Sequence, residues 1–177
     1  PGGGAPCDGT VMLDELVRAN VPSAVVAIIA DPEAVAQAHK AGAGRRATLT
    51  VGGKTDKRHG PQLTLTGEVR WAGEKTYVNK GAMMTGMRVS MGRAAVFAVN
   101  NVEIILTENR FQPLDCEALR CLGIEPRERL LIGLKSAVHF RADYQPIAAK
   151  IFDLDTPGIH SPNLINYRYR KLRRPIY

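Results

Sequence analysis

Residues 134–141 read LKSAVHFR and bring an amine, a hydroxyl, an imidazole and a guanidinium into one short run. In extended backbone, alternation puts Lys135, His139 and Arg141 on one face and Ser136 on the other. Three cationic or donor groups together suit a carboxylate or a developing oxyanion. Ser136 and His139 would form a nucleophile pair only with a third group to orient the imidazole, and spacing alone identifies none. The competing reading is structural, a histidine that is simply hydrogen-bonded at a strand end.

A second stretch opens the chain as PGGGAPCDGT. Gly2, Gly3 and Gly4 allow close approach of backbone to a ligand, and the helix start that follows offers N–H groups to an anion or carbonyl oxygen. The spacing is neither G-x-x-x-x-G-K-S/T nor G-x-G-x-x-G, so it is no nucleotide fingerprint. A tight turn without a ligand remains open. Because both stretches present donors, Gly2, Gly3 and Gly4 are expected to line one cleft face with the 135–141 run.

Metal chemistry is not expected from these residues. Cys7, Cys116 and Cys121 are too few and too unevenly spaced for a structural zinc site, and His39, His59, His139 and His160 are scattered. There is no H-E-x-x-H. An odd, sparse set of cysteines points to reduced thiols and a cytoplasmic protein.

The elements that must position these groups are legible in outline. Apolar periodicity predicts a helix over 11–17, with Asp8 or Thr10 as cap and Asn20 and Pro22 as its end. Residues 24–29 form a buried strand. Asp31 and Pro32 then start a helix that should stop at Gly42 or Gly44. In the middle, 47–51, 63–66, 68–71 and 76–78 read as strands, with a hairpin turn at 72–75. Strands 94–99 and 102–107 flank the turn Asn100-Asn101. Met83, Met87 and Met91 fall four apart, but the nearby glycines favour strands with methionine as core filler. Further on come a short helix capped by Asp115 and ending before Gly123, a strand at 129–134, a helix at 143–150 and an edge strand at 151–154. The expected fold is α/β, a mixed sheet with an antiparallel-rich middle and helices packed on it.

The chain has 177 residues and is 45% apolar, enough for one cored domain spanning 1–177. Its longest apolar run, 23–30, is too short to span a bilayer, so no membrane partner is expected. No signal peptide is visible, and a start at Pro1 without Met reads as a fragment whose true N-terminus lies elsewhere. The net charge of +7 is concentrated in YRYRKLRR at 167–174. Basic residues interleaved with tyrosine could contact nucleic acid. With no supporting motif, a solvated or internally paired tail is the preferred reading.

PGGGAPCDGT, DPEAVAQAHKAG, TLTVGGKTDKRHGPQLTLTGEV, LKSAVHFRADYQPIA and YRYRKLRRPIY follow one another in an order similar to one family. The chain resembles the C-terminal domain of the microcystin-degradation protein MlrC (microcystinase C) family, which are zinc metallopeptidases. The resemblance spans essentially the whole chain. Family members usually carry PGGGAPGDGT, so Cys7 departs from the pattern and would be strained if that position needs positive φ. The resemblance implies a full-length zinc peptidase or amidase. Its zinc ligands lie in an N-terminal metal-binding domain that is absent here and that partners this domain. It implies that this fragment supplies cleft wall and interface, acts on a small peptide or amide only as part of the whole, and is inactive alone. The rival is a non-catalytic α/β module that binds an anion or nucleic acid.

Overall fold

β1 (Ala24–Ala30) is buried at every position, as a continuous run of small and branched apolar residues should be when both faces of a strand are covered. The computed structural model describes residues 5–159 together with 170, 171 and 173. β1 pairs in parallel with β5 (Val102–Thr107) on one side and β6 (Leu131–Leu134) on the other. Beyond β5, β4 (Arg88–Val99), β3 (Leu63–Val78) and β2 (Arg45–Val51) continue the sheet in antiparallel pairs. The order is β2-β3-β4-β5-β1-β6, a mixed α/β sheet with the antiparallel share expected.

Each sheet face has its own apolar core. On one, Leu13 of α1 (Val11–Arg18) and Val35 and Ala38 of α2 (Pro32–Ala41) pack with Val26, Phe97 and Ile104. On the other, Leu119 of α3 (Glu117–Arg120) and Tyr144 of α4 (Arg141–Tyr144) pack with Met91 and Ile105. Each of the Val, Leu, Ile, Phe and Met side chains among them contributes about 1.5–3 kcal/mol when fully buried.

One long-range feature shapes the site. In the order β2-β3-β4-β5-β1, the strands β2 and β1 lie far apart. Yet Gly52 N, just past β2, donates to Asp31 Oδ2, just past β1, at 2.8 Å. The β2–β3 ribbon therefore curls back over the face that carries α2, where Thr50 N donates to Gln37 Oε1 at 3.0 Å. That curl delivers residues 52–62 to the C-terminal end of β1.

Four local expectations are corrected. No hairpin forms at 72–75: β3 runs unbroken, and Ala72, Gly73, Glu74 and Lys75 all pair with β4. The turn-like glycine serves packing instead, since a Cβ on Gly73 would lie 2.8 Å from the Trp71 ring. The helix expected at 143–150 is only α4 followed by a 3-10 turn at Gln145–Ile147, because Pro146 has no N–H to continue the helical ladder. Residues 151–154 find no strand partner. Of the three spaced methionines only Met91 lies in a strand and is buried, while Met83 and Met87 belong to the 79–87 turn.

Candidate functional site

Three segments meet beyond the C-terminal end of β1, where open α/β sheets keep their crevices. The first is the remainder of the opening loop, whose Cys7 carbonyl accepts from Ala30 N at 3.0 Å. The second is 52–62, held to that loop by Gly53 N donating to Asp8 O at 2.8 Å and Thr10 N donating to His59 O at 2.9 Å. The third is the end of β6, where Lys135 N donates to Ala27 O at 2.9 Å and Lys135 Nζ donates to Gly9 O at 2.6 Å.

Two buried carboxylates lock the loops. Asp8 Oδ2 accepts from Lys54 N at 3.0 Å and from Thr55 N at 2.9 Å. Asp31 does the cap job foreseen for it, accepting from Ala34 N at 3.0 Å. It also accepts from Gly52 N and pairs with Lys54 Nζ at 2.8 Å. Gly52 has φ +61, and a Cβ there would lie 2.5 Å from Thr10 Cγ2 and 2.6 Å from Asp8 O. Of the two residues expected to cap α1, Thr10 holds the position, and Asp8 locks the loops instead. Thr10 makes no side-chain cap bond, and its hydroxyl donates to Pro61 O at 2.7 Å. The N–H groups of Thr10, Gly52, Gly53, Lys54 and Thr55 are all taken by protein acceptors. This junction is a latch, and these donors are not left for an anion.

Cys7 adopts φ 72 in that latch, the left-handed region where a side chain is strained. The residue is 4% exposed and its Sγ points to Ile28 O at 3.8 Å. Burial pushes the thiol up to about 11. Lys135 feels the opposite consequence of burial, which holds its ammonium below the usual value, partly offset by Cys7 and Asp8. His59 is also buried. Its Nδ1 lies 2.9 Å from Asp56 Oδ1, while Nε2 has no hydrogen-bond partner among the described residues. Arg58 N–H and then His59 hold the Asp56 carboxyl below the usual carboxylate range.

The 135–141 run does not stay extended, so its groups do not share a face. β6 ends at Leu134, and the chain turns into α4. Lys135 goes to Gly9. Ser136 Oγ accepts from Gln112 Nε2 at 2.6 Å, and the same amide's Oε1 lies 3.2 Å from His139 Nδ1. Arg141 forks onto both Asp153 oxygens at 2.8 Å. Gly2, Gly3 and Gly4 lie outside the described residues, as does His160 and most of the basic tail. The latch residues Asp8, Lys54 and His59 were not foreseen in these roles. The paired glycines of GGKTDKRHGP, a sign of close backbone approach, were the available signal.

Among the described residues, no three His, Cys, Asp or Glu side chains gather where they could hold a metal ion. The described residues therefore do not fit the zinc that the family resemblance implies. No helix among them is long and apolar enough to cross a membrane.

Comparison with known proteins gives the chain its relatives. A curated protein named Microcystinase C, from Sphingomonas sp, is 28% identical over 177 residues, covering 100% of this chain and 33% of its own length. The chain thus spans about a third of that relative. The crystal structure of a "Putative metallopeptidase" from Mesorhizobium sp. BNC1 superposes with a TM-score of 0.82 at 24% identity, over 97% of this chain and 34% of that one. That likeness shows a shared fold. The model of the family described as "MlrC C-terminus" matches residues 1–171, which include every strand and every latch residue just described, and the chain belongs to that family.

Proposed function

We propose that this chain is the C-terminal, cleft-lining domain of a zinc-dependent peptidase or amidase, and that Lys135 is its contact with substrate. The zinc, held by residues of a preceding metal-binding domain, would supply Lewis acidity to the full-length protein. This chain supplies charge and shape. A lysine ammonium has three N–H donors. Lys135 gives one to Gly9 O, which fixes the amine at the crevice end of the sheet and leaves donors for a carbonyl or carboxylate oxygen of a small peptide or amide. The Lys135–Gly9 tie carries this reading, because it joins the two stretches whose chemistry first stood out. Partial burial strengthens the attraction of that cation for an anionic oxygen. We also assign the protein to the cytoplasm, in keeping with three free thiols.

The test uses the full-length protein. Lys135→Met should lower kcat/KM for a short peptide amide by about 10- to 100-fold, the range of one charge-assisted contact, with the melting temperature nearly unchanged. A chelator should abolish hydrolysis and added zinc restore it. If residues 1–177 alone bound stoichiometric zinc and hydrolysed the peptide, the assignment of the metal to another domain would fail.

A further inference from the structure

Scattered exposed apolar side chains are ordinary, whereas a concentration of them marks an interaction surface. Here they concentrate around α4. Val138 is 63% exposed, Phe152 70%, Leu154 59% and Met84 55%, and Met87 and Val78 are exposed beside Met84. Three contacts bring their segments together. Val138 O accepts from Arg141 N at the start of α4. Arg141 then grips Asp153, between Phe152 and Leu154. The Asp143 side chain of α4 lies against Gly81, in the turn that carries Met84 and Met87. Leu130, equally exposed, sits at the other end of β6.

The backbone tells the same story. Among the described residues, none of residues 149–154 takes part in a backbone hydrogen bond, and while Ile151 packs against the core, Phe152 and Leu154 face outward. A strap with no backbone partner among the described residues, and with Phe152 and Leu154 exposed, suits a surface that another domain completes.

We infer that this α4 face, with the 151–154 strap at its centre, is the seat of the preceding domain of the longer protein. The proposal rests on the reading of this chain as the C-terminal part of a two-domain hydrolase. Three observations favour that occupant. The chain spans about a third of its curated relative, and the family matched is named for a C-terminus, so most of such a protein would precede Pro1. Cys7, near the start of the described chain, belongs to the same apolar core as Phe140 and Tyr144, so it lies on the side of the sheet that carries α4. Finally, the face continues into the crevice end of the sheet through the 135–140 turn that links Lys135 to α4, so a domain seated on it would overhang Lys135.

The experiment uses the full-length protein with a protease site inserted just ahead of Pro1. After cleavage the two parts should co-elute in gel filtration. Phe152→Asp with Leu154→Asp should weaken their association at least tenfold, while Leu130→Asp should leave it unchanged. Because each of these positions is exposed, the variants should fold. As a check independent of substitution, hydrogen exchange of peptides covering 149–156 should be slowed in the intact protein and speed up at least tenfold once the parts are separated. Co-elution of the doubly substituted parts at wild-type strength would overturn the proposal. So would unprotected exchange in the intact protein, or a result in which the double variant loses only self-association and belongs to a second copy. Neither readout involves hydrolysis, so a failure of the peptidase reading would be distinguishable.

Discussion

Lys54 Nζ lies 2.8 Å from Asp31 Oδ1, the same oxygen that caps α2 through Ala34 N at 3.0 Å. One carboxylate therefore ends a strand, starts a helix and anchors a loop from the far edge of the sheet. Asp31→Ala should cost about 2–4 kcal/mol in urea unfolding, more than the roughly 1 kcal/mol of an ordinary cap, because buried donors lose their acceptor. Glu33 also reaches Lys54, at 3.2 Å, but its side chain is 76% exposed. Glu33→Ala should change stability by less than about 0.5 kcal/mol. Equal effects would place the stabilisation in the ion pair and not in the cap and latch.

Gly52 should be among the least replaceable glycines of the site loops, together with Gly53, whose Cβ would lie 2.5 Å from the Pro61 carbonyl carbon. Gly52→Ala combines φ +61 with a Cβ that would lie 2.6 Å from the Asp8 carbonyl, and is expected to cost about 3 kcal/mol or more. Gly86 has φ +81 but nothing within 4 Å of its Cβ position, so Gly86→Ala should cost only about 1 kcal/mol. Thermal unfolding of the two variants side by side measures the difference, which is the contribution of the tight junction itself.

Alkaline unfolding should report on Cys7. Its thiol moves from 9.0 up to about 11 on burial. The folded state thus holds this proton more tightly than the unfolded state. The stability it contributes is complete below about pH 9 and is lost as pH rises toward about 11, by on the order of 2 kcal/mol. Lys135 works in the opposite sense: its lowered value means the folded form releases a proton first, so its contribution improves with rising pH. Melting temperatures of wild type and Cys7→Ala across pH 8 to 11 separate the two, and the wild type should fall more steeply. Parallel curves would mean that the folded thiol ionises at its ordinary pH, as a thiol reached by water does.

Cys7 also tests backbone strain. At φ 72, Cys7→Gly removes a penalty of about 1–2 kcal/mol while giving up a small buried side chain, so stability should change by no more than about 1 kcal/mol. Cys7→Val should be far more damaging, since a β-branched residue fits neither the conformation nor the space.

What could be foreseen was local. The all-apolar 24–30 run, the Asp31-Pro32 helix start and the Asn100-Asn101 hairpin each declare themselves within a few residues, and each stands in the structure. The failures needed distant partners. Gly73 reads as a turn because its strand partner, Ala94, lies on the far side of the 79–87 turn. Asp8 looked like a helix cap because its true donors, Lys54 N and Thr55 N, are 46 and 47 residues away. Lys135 was singled out for its chemistry, but its tie to Gly9 spans 126 residues, and the neighbours assumed to share its face turned elsewhere once β6 ended.

Trp71 is the chain's one tryptophan, and it sits in the middle of β3 with Lys75 Nζ 5.3 Å from its ring centroid. Its fluorescence is therefore a gauge of the long strand. Ligand binding near Lys135, or loosening of the 52–62 loop, should leave its emission maximum in place. The shift arrives when β3 peels from β4, across the irregular pairing between Val69 and Trp71. A denaturation curve followed by emission would then report the sheet, and a separate probe placed at residue 7 would report the latch.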